Sequence, residues 1–217
     1  QVQDIKAVSW SNDGYMPSQW LFSNGTRSYT SNGLNQYATA EGATLSYDAN
    51  GNLTGDGVWS YGYDLDNQLT TANKTGSANS LAYDGAGRLR QTTSGTFVTN
   101  LSYDGSDLVA EYNSTGTLSR RYVHGPGVDE PLVAYIGNGT SNKFWLYGDH
   151  QGSIVASAMD DGNIAGRSTY DLYGKSDDNG TLFRFGYTGQ QSIQTLGLYY
   201  YKARMYSPTL GRFLQTD

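Results

Sequence analysis

One short pattern, Tyr-Asp-x-x-Gly-x-Leu, constrains what this chain can fold into more than any other feature. It reads Tyr47-Asp48-Ala49-Asn50-Gly51-Asn52-Leu53, then Tyr63-Asp64-Leu65-Asp66-Asn67-Gln68-Leu69, then Tyr83-Asp84-Gly85-Ala86-Gly87-Arg88-Leu89. A shortened copy, Tyr103-Asp104-Gly105-Ser106-Asp107-Leu108, follows, so the starts at 47, 63, 83 and 103 lie 16, 20 and 20 residues apart. Tyr112-Asn113-Ser114-Thr115-Gly116-Thr117-Leu118 is a further copy with Asn for Asp, and Tyr170-Asp171-Leu172-Tyr173-Gly174 keeps the front half.

The pattern is a turn with its flanking strands. Asp at the first turn position and Gly at the fourth suit a type I β-turn, and the Asp carboxylate accepts from backbone N–H groups ahead of it. Gly51 and Gly87 supply the left-handed backbone that returns the chain, and Asn67 tolerates the same conformation. Tyr before the turn and Leu after it face one another across the hairpin. A period of about 16–20 residues holds two strands of ordinary length and two turns. No segment carries a capped helical period. The expected fold is therefore all-β: an antiparallel meander of hairpins forming a curved or wound sheet, either part of a shell or an open repeat sheet.

Composition agrees. The chain has 217 residues, of which 13% are aromatic and 28 are Gly against 4 Pro, and only 16% are charged. Aromatic content of this order argues against disorder. The net charge of −6 leaves little basic surface for gripping phosphates, so a nucleic-acid partner is not expected. No apolar run approaches the roughly 20 residues of a membrane helix. Without cysteine there are no disulfides or thiolate metal sites, and no cofactor or metal is expected. Residues 1–118 carry the regular repeat and residues 119–217 a less regular set of aromatic and basic phrases, with the second region continuous with the first.

Those later phrases, together with the repeats, are specific. Trp145-Leu146-Tyr147-Gly148-Asp149-His150-Gln151-Gly152-Ser153, Phe185-Gly186-Tyr187-Thr188-Gly189-Gln190, and the run from Gly197-Leu198-Tyr199-Tyr200-Tyr201 to Gly211-Arg212-Phe213-Leu214-Gln215-Thr216-Asp217 follow in order. With the Tyr-Asp turns they resemble the Rhs/YD-repeat family, which includes bacterial polymorphic toxins, and the start of its core domain. The resemblance implies a YD-repeat β-shell around a toxic cargo, secreted or at the bacterial cell surface, with a two-aspartate self-cleavage site of which Asp217 would supply one.

The expectation is a non-enzymatic structural protein: a wall segment that self-associates through strand edges or stacking into a fibre or tube, or forms part of a toxin-encapsulating shell. Its working residues are those of the turns: Tyr47, Asp48, Gly51 and Leu53; Tyr63, Asp64, Asn67 and Leu69; Tyr83, Asp84, Gly87 and Leu89; Tyr112, Asn113, Gly116 and Leu118. One alternative is a carbohydrate- or surface-binding module, with Trp20, Trp59 and Trp145 as stacking platforms for a glycan. The other is a truncated self-cleaving core lacking its second aspartate and its toxin. Asp149, His150 and Ser153 have the residue types of a hydrolase triad, but adjacent positions in one turn do not reach triad geometry, and a turn role is expected for them. Arg204 and Arg212 are expected to stack on aromatics or to pair with Asp217.

Overall fold

The computed structural model describes residues 27–176 and 183–216, so Trp20 and Asp217 lie outside the described residues. A small antiparallel sheet comes first, of β1 (Tyr29–Ser31), β2 (Tyr37–Ala40) and β3 (Ala43–Thr44). Thirteen strands then form one meander in which every neighbour in sequence is a neighbour in space. They are β4 (Ser46–Tyr47), β5 (Leu53–Gly55), β6 (Ser60–Tyr63), β7 (Leu69–Lys74), β8 (Ser77–Tyr83), β9 (Leu89–Ser94) and β10 (Phe97–Asp104). The sheet continues through β11 (Asp107–Asn113), β12 (Leu118–His124), β13 (Pro131–Ile136), β14 (Lys143–Gly148), β15 (Ile154–Met159) and β16 (Ile164–Arg167). It passes without a break through residues 118 and 119. A four-stranded sheet closes the chain: β17 (Gln191–Ile193), β18 (Leu198–Tyr201), β19 (Arg204–Ser207) and β20 (Arg212–Phe213). The large sheet is open, and all pairings are antiparallel.

Successive side chains alternate between the two faces of a strand, and here the faces differ. On the inner face Leu53, Leu69, Leu89 and Leu108 are each 2% exposed or less. Leu81, Leu101, Tyr61 and Tyr122 join them. The four-stranded sheet lies over this face, adding Ile193, Leu198, Tyr200, Met205 and Leu214 to the same core. Burying such side chains stabilises by about 1.5–3 kcal/mol each, so the short, polar hairpins depend on this cover.

The repeat turns lie along one edge of the large sheet. Asp48 Oδ1 accepts from the amides of Asn50 (3.0 Å) and Asn52 (2.8 Å). Asp64 Oδ1 does the same for Asp66 and Gln68, and Asp84 Oδ1 for Ala86 and Arg88. At the fourth turn position Gly51, Asn67 and Gly87 have φ of 85°, 60° and 78°. A register shift precedes each repeat tyrosine, leaving Tyr47, Tyr63 and Tyr83 opposite Leu53, Leu69 and Leu89. Asp149 and Asp171 form the same turn, with Gly152 and Gly174 at φ of 81° and 86°. The Asn113 turn is built alike but lies at the opposite edge of the sheet, because β11 runs the other way. The copy at Tyr112 is therefore out of phase with the others, a fact that local turn chemistry does not reveal.

Candidate functional site

The residues with the most specific geometry line the seam between the repeat-turn edge and the C-terminal segment. The repeat tyrosines make it first. Tyr63 donates its hydroxyl to the carbonyl of Leu53 (2.6 Å), Tyr83 to that of Leu69 (2.9 Å), and Tyr103 to that of Leu89 (2.8 Å). Each tyrosine thus binds the leucine of the repeat before it. Tyr170 likewise reaches the carbonyl of Ile154 at 2.9 Å. Burial raises the hydroxyls of Tyr63, Tyr83 and Tyr103 well above the usual tyrosine range, so they stay protonated as donors.

Two rungs are occupied by residues that the repeat pattern does not mark. His124 stands in the tyrosine position, and its Nε2 lies 2.8 Å from the carbonyl of Leu108. Because a carbonyl only accepts, Nε2 carries the proton there. Gly148 takes the position in the next repeat, opposite Ile154. The signal that finds them is phase: each precedes a turn whose first amide donates to the carbonyl that closes the turn, Gly125 to Glu130 and Asp149 to Ser153, one residue before the strand partner Pro131 or Ile154.

The C-terminal segment then completes hydrogen bonds that the register shifts leave open. The amide of Leu53 donates to the carbonyl of Leu214 (2.8 Å), and that of Ile154 to the carbonyl of Gly186 (3.0 Å). The amide of Leu89 donates to the Tyr200 hydroxyl at 2.9 Å. Thr216 Oγ1 donates to the carbonyl of Asn50, and Arg212 donates to that of Asn35 while lying 3.8 Å over the ring of Tyr37. Arg204 lies over Phe213 at 4.0 Å. Farther along, Asp129 takes Lys202 (2.7 Å) on one oxygen and the Gln190 amide (2.8 Å) on the other.

The centre of the seam is ionic. Glu111, on β11, is 1% exposed, and its carboxylate accepts Arg184 NH2 at 2.8 Å and Nε at 3.3 Å. The Tyr122 hydroxyl donates to the same carboxylate. Burial alone would raise the Glu111 carboxyl, but Arg184, Tyr122 and Arg120 outweigh it and hold it below the ordinary carboxylate range. Burial and the neighbouring Glu111 charge push the Tyr122 hydroxyl far up. Arg120 approaches from the exposed side, its NH1 3.7 Å from Glu111. The arrangement holds charge in place rather than offering a free acid or base.

The tryptophans are not brought together. Trp59 precedes β6 and lies under Lys74 (4.3 Å), whereas Trp145 is on β14 with Lys143 over its ring (4.7 Å) and its indole donating to Asp160. Eight strand spacings, about 38 Å along the sheet, separate them. Of the triad-like residues, Asp149 is occupied by turn amides, His150 is exposed, and Ser153 Oγ accepts the amide of Thr188 (3.0 Å). Among the described residues no group of three or more His, Cys, Asp and Glu side chains stands ready for a metal ion, and no helix is long and apolar enough to cross a membrane.

Comparison with known proteins bears on both fold and function. No protein-family model matches the chain. A solved TcdB2–TccC3 structure without its hypervariable C-terminal region superposes with a TM-score of 0.64 at 18% identity, over 88% of this chain and 11% of that one. A Photorhabdus luminescens Tc holotoxin pore matches at 0.61 and 17%, over 88% of this chain and 12% of that one. The chain has an Rhs-like β-sheet fold.

Among curated proteins it is 32% identical over 195 residues to the tRNA3(Ser)-specific nuclease WapA of Bacillus spizizenii, covering 85% of this chain. The tRNA nuclease WapA of Bacillus subtilis matches at 32% over 194 residues, again 85% of this chain. The chain spans 8% of the length of either relative. These relatives overturn the expectation of a non-enzymatic structural protein, together with its binding-module and truncated-core alternatives. The reading went astray for a physical reason. A repeated turn announces itself by period and reports the fold of this segment, whereas the relatives named as nucleases are polypeptides of which the chain spans 8%.

Proposed function

We propose that this chain is a segment of a bacterial toxin of the YD-repeat type whose whole polypeptide degrades tRNA. The observation that carries the reading is the 32% identity to WapA nucleases over 85% of the chain. The Tyr-Asp turn ladder and the C-terminal phrases that lock onto it support the finer placement, as does the likeness in fold to Tc toxin structures. Export from the cell follows from the same placement. An acidic segment with net charge −6 contributes little to holding an RNA backbone, so the reading assigns tRNA contact to the whole polypeptide.

The test is direct. The 217-residue chain and the polypeptide that contains it are each incubated with total tRNA, and fragments are resolved on denaturing gels. Discrete tRNA cleavage by either supports the proposal. Intact tRNA with both, beside an active WapA control, overturns it.

A further inference from the structure

We propose that the cavity between the inner face of the large sheet and the β17–β18 turn binds a small oxyanion, a carboxylate or phosphate group, on Arg120. The cavity measures about 180 Å³, room for several water-sized groups at roughly 30 Å³ each. Its charged lining residues are Glu111, Arg120 and Arg184, two cations against one anion in a chain whose overall charge is −6.

The imbalance falls on Arg120. Glu111 already gives its carboxylate to the two Arg184 bonds and to the Tyr122 hydroxyl. Arg120 NH1 is left with an ion pair 3.7 Å long, beyond hydrogen-bond reach. Its Nε is buried with no hydrogen-bond partner among the described residues. A buried donor without an acceptor is unfavourable, more so on a charged group. A guanidinium offers a planar fork suited to two oxygens of one carboxylate or phosphate. Thr99, Ser192 and Thr195 add hydroxyls to the lining. An oxyanion at this end supplies the acceptor that Arg120 lacks and balances the second cation without disturbing the Glu111–Arg184 pair.

The inference does not depend on the tRNA reading, and its test is separate. The intact chain is titrated with inorganic phosphate and, in a second series, with acetate, at ionic strength held constant with chloride. Backbone amide shifts at Thr99, Arg120 and Thr195 are followed by NMR. A saturable shift confined to these residues in either series, with an apparent Kd of about a millimolar or tighter, supports the proposal, and the series that saturates names the group. Arg120→Gln should abolish it while the shift pattern elsewhere shows the fold retained. Arg120→Lys keeps the charge without the fork and should weaken binding about tenfold or more. Shifts no larger than chloride produces, or equal binding by both variants and the parent, overturn it.

Discussion

Arg184 and Glu111 stand 73 positions apart in sequence, yet the guanidinium holds the carboxylate through two hydrogen bonds at 2.8 and 3.3 Å. The pair joins the meander to the segment that covers it, and both partners are shielded from water. Removing one partner strands the other. Glu111→Gln should cost about 3–5 kcal/mol in urea unfolding, far more than an exposed charge change.

The same pair sets an acid dependence. The folded carboxyl of Glu111 lies below its ordinary value of 4.5. Its contribution is therefore present above that value and is lost as pH falls through the depressed one. Urea midpoints of parent and Glu111→Gln, measured from neutral pH downward, should differ most at neutral pH and converge below about pH 4.5. A constant gap across the range would show that the carboxylate's charge is not what matters.

Tyr200 supplies the alkaline counterpart. Burial pushes its hydroxyl up to about 12. A raised acid contributes stability that is present below its unfolded value, near 10, and is lost as pH climbs toward 12. Tyr200→Phe also leaves the Leu89 amide without its acceptor, a loss of about 1–3 kcal/mol at neutral pH. The difference between parent and variant should shrink between pH 10 and 12, while tyrosinate absorbance reports the ionisation itself.

Tyr83→Phe tests the hydroxyl ladder. Losing its bond to the Leu69 carbonyl should lower stability by about 1 kcal/mol, or a thermal midpoint by about 2–4 °C. Tyr112→Phe is the control, since the Tyr112 turn lies at the other edge and a near-parental midpoint is expected. Equal losses from the two would deny the ladder its special role.

Turn geometry makes a further prediction. Gly87 has φ of 78°, and a Cβ there would meet only the flexible end of Gln68 at 3.1 Å. The cost of Gly87→Val is then chiefly backbone strain, about 1–3 kcal/mol. Gly87→Asn should cost less, because Asn67 already holds φ of 60° at the equivalent position.

The turns and the all-β meander were legible because they rest on local chemistry: an Asp that accepts amides two and four residues ahead, and a Gly or Asn where the backbone turns left-handed. Phase was not legible. Nothing within Tyr112-Asn113-Ser114-Thr115-Gly116 tells which edge of the sheet it will occupy, since that depends on counting strands. His124 was hidden for the converse reason, a non-tyrosine doing the tyrosine's work. The Glu111–Arg184 pair joins residues that no local pattern connects, and the two tryptophans looked like partners only because composition carries no distances.

The two edges of the large sheet obey different rules. Along the Tyr-Asp edge the turns that follow Tyr63, Tyr83, Tyr103, His124 and Tyr170 are fastened to the repeat before them and, at several points, the edge is fastened to the covering segment. The opposite edge turns through Thr75-Gly76 and Gly95-Thr96 in the shortest way, yet through residues 137–142 in a longer loop, within one unbroken meander. Gly76, Gly95 and Gly139 have open space or only ordinary contact around them. Foreign peptides, epitopes or labels can therefore be grafted at that margin with the register of every strand preserved, whereas the same graft at Gly51 would be forced against Thr216 and Gln36.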